Sequence, residues 1–240
     1  MPRITPATRL GWPSALRRSS LFYSPQFFDT TDIGRLPSVA AVCSGHDNHQ
    51  VGRCDQWTVA VTPPAVFLDR DGVLNRAVVR DGKPYPPASL EALEIPKDVA
   101  QALARLKAAG YRLVVVTNQP DVARGSMDRG VVEAINAALA ARLPLDEIRV
   151  CYHDDRDGCG CRKPLPGLLL QQPAHDLRRS VMIGDRWRDI EAGRRAHVGA
   201  TVLIDCGYDE KSDVRPDATV TSLSQAVDWI LGRDAQVHHD

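Results

Sequence analysis

From Pro63 onward the chain alternates short apolar runs with amphipathic stretches, and the runs themselves lack a polar face. AVFL (65–68), LVVVTN (113–118), IRVCY (148–152), VMIGD (181–185) and TVLID (201–205) carry apolar side chains toward both sides of an extended chain. A strand of that kind must be covered on both faces, which is the habit of parallel sheets in α/β proteins. Between the runs lie VAQALARLKAAG, a helical pattern on Val132, Ile135 and Leu139, a charged segment after Asp185, and SLSQAVDWIL near the C-terminus. Gly110 suits the residue just past a helix end, where a left-handed conformation is needed. Pro173 is expected to kink or shorten a helix after Gly167. The repetition predicts an α/β fold, a doubly wound, Rossmann-like parallel sheet. Such sheets bind ligands outside the carboxyl ends of their strands.

Residues 1–63 break this pattern. They are rich in Pro, Ser, Thr and Gly and hold no sustained period of 2 or 3.6. Residues 1–28 carry four arginines and no Asp or Glu, a composition also found in organellar transit peptides. The expectation is an N-terminal extension, disordered or translated from a misplaced start, followed by one catalytic domain over 64–240. Cys43 and Cys54 fall in the extension without partners at metal-ligand spacing. No apolar run approaches the ~18 residues of a membrane span, and no secretory h-region is present. A cytoplasmic protein is therefore expected. Thirty Lys+Arg against thirty Asp+Glu give a formal net charge of zero, which argues against a broad electrostatic nucleic-acid binder.

Each strand end carries polar groups. The first ends in Asp69-Arg70-Asp71-Gly72, where two acids two residues apart leave an extended chain on one side. The second ends in Thr117-Asn118, a hydroxyl and an amide where a phosphate could sit. The fourth ends in Gly184-Asp185, and Asp189 falls one helical turn later. Lys163 follows a cysteine-rich loop. Taken singly, these are an acidic turn, turn chemistry, a helix N-cap and a solvated charge. Together they supply the parts of a Mg²⁺-dependent phosphoryl transfer: carboxylates for a hard cation, a carboxylate nucleophile, and a cation for the developing charge.

FLDRDGVLN, VVVTN, RKP and GDRWRD resemble the four motifs of the haloacid dehalogenase superfamily of phosphohydrolases, and the resemblance covers about residues 64–232. It implies that Asp69 is the nucleophile, forming an aspartyl phosphate. Asp71 would protonate the leaving oxygen and then activate water. Thr117 and Lys163 would stabilise the transferring phosphoryl group. Asp185 would complete the Mg²⁺ site with Asp69 and the backbone carbonyl of Asp71, and Asp189 would support it from behind. Asn118, Gln119, Arg162 and Arg186 are the expected substrate contacts. Only about twenty residues separate Asn75 from Ile95, so no large cap domain is expected.

The run CYHDDRDGCGCRKP (151–164) holds three of the six cysteines and one of the seven histidines within eleven residues. Cys151, His153, Cys159 and Cys161 make four ligands, the number that fills a structural, tetrahedral zinc. A disulfide would leave one cysteine over. Zinc there would fix the loop just before Arg162-Lys163. The loop resembles a zinc-containing branch of the superfamily that includes heptose-bisphosphate 7-phosphatases and histidinol-phosphate phosphatases. TNQPDVARG (117–125) is similar to the former, and the five-residue gap between His153 and Cys159 is similar to the latter. The resemblance implies a monomeric enzyme acting on a small sugar phosphate, a heptose 1,7-bisphosphate in surface-polysaccharide precursor synthesis. Histidinol phosphate is the competing substrate, and a non-catalytic zinc-binding scaffold the competing class.

Overall fold

The computed structural model describes residues 62–172, 174–210 and 212–237. The expectations for the extension up to residue 61, for Cys43 and Cys54, and for Pro173 lie outside the described residues. Thirteen helices and strands follow one another: β1 (Ala65–Leu68), β2 (Val78–Arg80), β3 (Lys83–Tyr85), α1 (Val99–Ala108), β4 (Arg112–Asn118), α2 (Pro120–Ala123), α3 (Arg129–Arg142), β5 (Glu147–Cys151), β6 (Val181–Gly184), α4 (Trp187–Arg195), β7 (Ala200–Ile204), β8 (Ala218–Val220) and α5 (Leu223–Val237).

Six strands form one parallel sheet in the order β5-β4-β1-β6-β7-β8. The chain therefore builds outward from β1 on one side, then returns and builds outward on the other. That reversal places the switch point, where open α/β sheets bind ligands, among β4, β1 and β6. Register aligns their ends: Leu68 stands opposite Val115 on one side and Ile183 on the other. Asp69 thus leaves the sheet one residue short of the level of Thr117 and Asp185.

The uninterrupted apolar runs serve two cores. Val66, Leu68, Leu113, Val115, Val181 and Ile183 face the larger one, which α1, α3 and α5 close with Leu103, Leu106, Ile135, Leu139, Val227 and Ile230. Ala65, Phe67, Val114, Val116 and Met182 face the opposite way, against Ala192 of α4, Ala196 at its C-cap, and Leu168, Leu169 and Cys151. Complete burial of a side chain such as Phe67 contributes about 2–3 kcal/mol, so neither face can be left open to water.

Between β5 and β6 the structure departs from a regular crossover. No α-helix follows Gly167 among the described residues; Pro166–Leu168 is a single 3₁₀ turn. Buried Arg149 on β5 compensates by donating from Nη1 to the Leu168 carbonyl at 2.9 Å and the Leu169 carbonyl at 3.3 Å. Gly167 is required here, because a Cβ would stand 2.3 Å from the Gly160 carbonyl oxygen. The cysteine loop is thereby docked directly on this turn. On the other side of the sheet's edge, β2 and β3 make a small hairpin. Its Asp81-Gly82 turn takes φ of 48° and 70°, the left-handed pair that two-residue hairpins favour. The Asp209 N–H reaches the Gly82 carbonyl at 3.1 Å. This hairpin, and no inserted domain, occupies the stretch between β1 and α1.

Candidate active site

The floor of the site is a cluster of buried charges. Asp69, just past β1, receives Lys163 Nζ on Oδ1 at 2.7 Å. The same ammonium lies 2.5 Å from Asp189 Oδ1 on α4 and donates to the Val116 carbonyl at 2.7 Å. A lysine has three donors, and all three are used; Lys163 is only 2% exposed. Burial opposes its charge, but Asp189 and Asp69 outweigh it and raise the ammonium above its ordinary value. Burial likewise pushes Asp69 up to about 6, with Lys163 pulling down and Asp189 and Asp71 pushing further up.

Asp185, at the end of β6, is the odd group in this cluster. Both its carboxylate oxygens are buried, and among the described residues neither has a hydrogen bond of normal geometry, although the Tyr208 hydroxyl lies close by. Burial, then Asp69 and Asp189, raise its pKa well above the ordinary range, with nearby Tyr208 and Lys163 offsetting only part. One oxygen from each of Asp69, Asp185 and Asp189 lies within 4.8 Å of the others. Three carboxylates against one ammonium, with two orphaned oxygens, is the donor set of a hard divalent cation. Mg²⁺ fits it. Close packing enforces the arrangement: Gly72 takes φ +92°, and a Cβ there would stand 2.0 Å from Asp185 Oδ2. Asp185 does not cap α4. The N-cap is Arg186, whose N–H donates to Asp189 Oδ2 at 3.1 Å.

Asp71 faces the same cavity from a separate set of bonds. Arg70 forks onto it, with Nη2 2.9 Å from Oδ2 and Nε 3.2 Å from each oxygen. Asn75 Nδ2 donates to Oδ1 at 2.9 Å, and Gln119 Nε2 donates to Oδ2 at 2.9 Å and to Thr117 Oγ1 at 2.8 Å. Gln119 was expected at the substrate. It is instead 1% exposed, and its amide joins Thr117 to Asp71. Asn118 lines the cavity but its amide is engaged with the Lys163 backbone, accepting from N–H at 3.1 Å and donating to C=O at 3.0 Å. The Asp71 side chain is outside the three-carboxylate cluster, so any part it takes in the cation site belongs to its backbone.

The cysteine loop converges as its spacing suggested. Cys151 Sγ lies 3.7 Å from Cys159 Sγ and 3.3 Å from Cys161 Sγ, and Cys159 lies 3.4 Å from Cys161. His153 Nδ1 is 3.7 Å from Cys151 and 3.3 Å from Cys161. Ligands about 2.3 Å from a tetrahedral centre are about 3.8 Å apart, so these separations describe the edges of a zinc-sized cage. The four described cysteines form no disulfide. Burial opposes ionising Cys159, yet N–H groups of Arg162 and Cys161 and the neighbouring thiols bring it down to about 7. The cage is thus bonded to the backbone of Arg162. Arg124, at the end of α2, reaches Asp154 at 2.6 Å and ties TNQPDVARG to the loop.

Beside this cluster is a cavity of about 280 Å³ whose lining also includes Arg124, Arg162, Arg186 and Arg188, with Asp121 and Asp155. Arg162 is oriented by Asp155, Nε to Oδ1 at 2.7 Å, while its Nη1 is buried with no partner among the described residues. Arg186 is paired with Glu210. Arg188 also lines the cavity, makes no ion pair among the described residues and stacks on Trp187 at 5.0 Å. Burial, then Arg186, lowers its pKa, Arg162 acting the same way. Three residues of this site were missed in the sequence. Arg188 and Arg124 lie within GDRWRD and TNQPDVARG, but their role depends on which helix face meets the cavity, and the motifs do not report that. Arg70, between two acids, was legible as a charge partner and was passed over.

Residues 88–197 match the model of the haloacid dehalogenase-like hydrolases. The chain is 35% identical over 188 residues to the D-glycero-beta-D-manno-heptose-1,7-bisphosphate 7-phosphatase of Salmonella typhi, covering 72% of this chain and 92% of that protein. It is 37% identical over 178 residues to the protein of that name from Photorhabdus laumondii, covering 68% and 92%. Among solved structures it is similar to the D,D-heptose 1,7-bisphosphate phosphatase of B. bronchiseptica complexed with magnesium and phosphate. There the TM-score is 0.61 and the identity 30%, with 71% of this chain and 99% of that one covered.

Proposed function

The chain belongs to the haloacid dehalogenase-like hydrolase family and is a phosphatase; from that premise we propose that it removes the 7-phosphate of D-glycero-D-manno-heptose 1,7-bisphosphate. The observation that carries this reading is a single cavity that holds both the hydrolytic groups and several arginines. Asp69, Asp71, Thr117 and Lys163 line it together with Arg162 and Arg188. A monophosphate satisfies only the floor. A second phosphate would meet the Arg162 guanidinium, and a guanidinium fork grips phosphate through charge-assisted bonds. The primary 7-phosphate, on a flexible exocyclic carbon, reaches the floor, while the 1-phosphate stays near the arginines.

Asp69 attacks phosphorus as the bond to the sugar oxygen breaks, and Asp71 gives that oxygen its proton. The resulting aspartyl phosphate is opened by a water whose proton returns to Asp71. Lys163 holds Asp69 in line, and exchanging one of its three bonds lets it meet the charge developing on the phosphoryl oxygens. Thr117 donates to the same group, while its partner Gln119 keeps it aimed. Asp69 and Asp185 would hold Mg²⁺, with Asp189 beside them. When bound, the cation offsets repulsion between the carboxylate and the phosphate dianion. Cys151, His153, Cys159 and Cys161 would hold zinc, which would fix the loop that carries Arg162 and Lys163.

Histidinol phosphate carries an ammonium and one phosphate, so the arginines lining the cavity disfavour it. A nucleic-acid strand is not the expected substrate for a chain of zero formal net charge. No helix among the described residues is long and apolar enough to cross a membrane. The enzyme is read as a cytoplasmic monomer serving surface-polysaccharide precursor synthesis. The test is kcat/KM for heptose 1,7-bisphosphate, fructose 1,6-bisphosphate and histidinol phosphate. The heptose should lead, and histidinol phosphate in first place would replace this reading.

A further inference from the structure

Resting on the assignment of Asp71 as the acid and base, we infer that Arg70, anchored by Asn136, is a positioning residue that fixes where Asp71 exchanges its proton. Arg70 is 0% exposed. A guanidinium removed from water is costly unless its donors find acceptors, and here they point two ways. The near side grips Asp71 through Nη2 and Nε. The far side donates from Nη1 to Asn136 Oδ1 at 2.9 Å. Asn136 sits on the buried face of α3 with Val132, Ile135 and Leu139, so the clamp is bolted to a helix that the main core holds still.

The remaining side-chain donors to Asp71 come from Asn75 and Gln119, each 1% exposed. Only Asp71 itself keeps an open edge, its side chain 14% exposed where it lines the cavity. Oδ2 accepts at 2.9 Å from both Arg70 Nη2 and Gln119, Oδ1 accepts at 2.9 Å from Asn75, and Arg70 Nε lies 3.2 Å from each oxygen. The same carboxyl must act twice. It gives its proton to the sugar oxygen as that oxygen keeps the electron pair of the breaking P–O bond. It then takes a proton from the water whose oxygen bonds to phosphorus. Proton transfer needs heavy atoms about 2.6–3.2 Å apart, and an unclamped aspartate has three staggered rotamers that would scatter its oxygens. The fork leaves one.

The experiment compares Arg70→Met, Arg70→Lys and Asn136→Ala on two esters. Fructose 1,6-bisphosphate has an alkoxide leaving group that needs a proton; p-nitrophenyl phosphate has a stable phenolate that does not. Arg70→Met should cut kcat on the alkyl ester by about 100-fold or more and on the aryl ester by less than about 10-fold. Arg70→Lys, which keeps the charge but not the planar fork, should recover part of the alkyl activity, and Asn136→Ala should show a smaller loss with the same bias. Equal losses on both esters would mean a merely structural arginine and would overturn the inference. If Arg70→Met fails to fold, Asn136→Ala decides by the same ratio. Asp71→Asn, run alongside, separates the two layers. If it loses the alkyl ester selectively and the clamp variants do not, the Arg70 inference alone falls. If it loses both esters equally, the assignment of Asp71 falls and the inference with it.

Discussion

Replacing Lys163 by methionine keeps the length of a buried side chain and deletes its charge. The ammonium lies 2.7 Å from Asp69 and 2.5 Å from Asp189, and Asp185 shares the cluster. At an effective dielectric constant of about 20, opposite unit charges about 4 Å apart attract by about 4 kcal/mol. Removing one partner of a buried pair costs about 3–5 kcal/mol. For a domain of this size each kcal/mol moves Tm by about 2–4 °C, so without Mg²⁺ the variant should melt roughly 6–20 °C below wild type. The deficit also depends on pH. Burial already holds Asp69 at about 6, above the ordinary 3.8, and losing Lys163 raises it further. The folded protein then keeps protons that the unfolded chain has released, and stability falls as pH rises from about 4 through the folded value. The deficit should therefore be largest at about pH 8 and shrink toward about pH 5. Thermal melts at both pH values, with and without Mg²⁺, read it. Added Mg²⁺ should raise the variant's midpoint by more than it raises the wild type's, because the cation replaces a missing charge. A variant within about 2 °C of wild type at both pH values would refute the electrostatic account.

Asp69→Asn should abolish turnover of every ester, because an amide is no nucleophile; near-native kcat would end the aspartyl-phosphate mechanism. Mg²⁺ affinity, read by titration calorimetry, should fall as pH drops below about 6, where protons compete for Asp69 and Asp185; an affinity flat with pH would contradict the cation site. Cys159→Ala should lose its zinc by elemental analysis and melt lower, since structural zinc contributes roughly 10 kcal/mol of apparent binding energy in small domains. Wild-type protein with no zinc and all six thiols titratable would remove the cage. Deleting residues 1–62 should leave Tm and kcat nearly unchanged, and an insoluble product would show that the extension is needed.

The sheet was readable because apolar runs without alternation have one stable use, and the strand ends then named Asp69, Thr117 and Asp185 as neighbours. The hairpin at β2 and β3 was not anticipated. Asp81-Gly82 is a strong turn signal, but the flanking strands are three residues each and carry no measurable period. The missing helix after Gly167 is explained by Arg149, whose bonds to the Leu168 and Leu169 carbonyls stand in for helical ones; no local sequence rule reports a cation 17 residues upstream of Pro166. Gln119 illustrates the limit within the site. Its place beside Thr117 was legible, but whether an amide turns to ligand or to a neighbouring carboxylate depends on packing across the sheet. The cysteine cage was legible because four soft ligands at close spacing have few alternatives.

Phosphorus NMR of heptose 1,7-bisphosphate turned over by the enzyme with Mg²⁺ tests the central claim most directly. The account predicts loss of the 7-phosphate resonance, growth of inorganic phosphate, and a persistent anomeric 1-phosphate. Loss of the anomeric resonance first, or an unchanged spectrum beside rapid hydrolysis of histidinol phosphate, would contradict it.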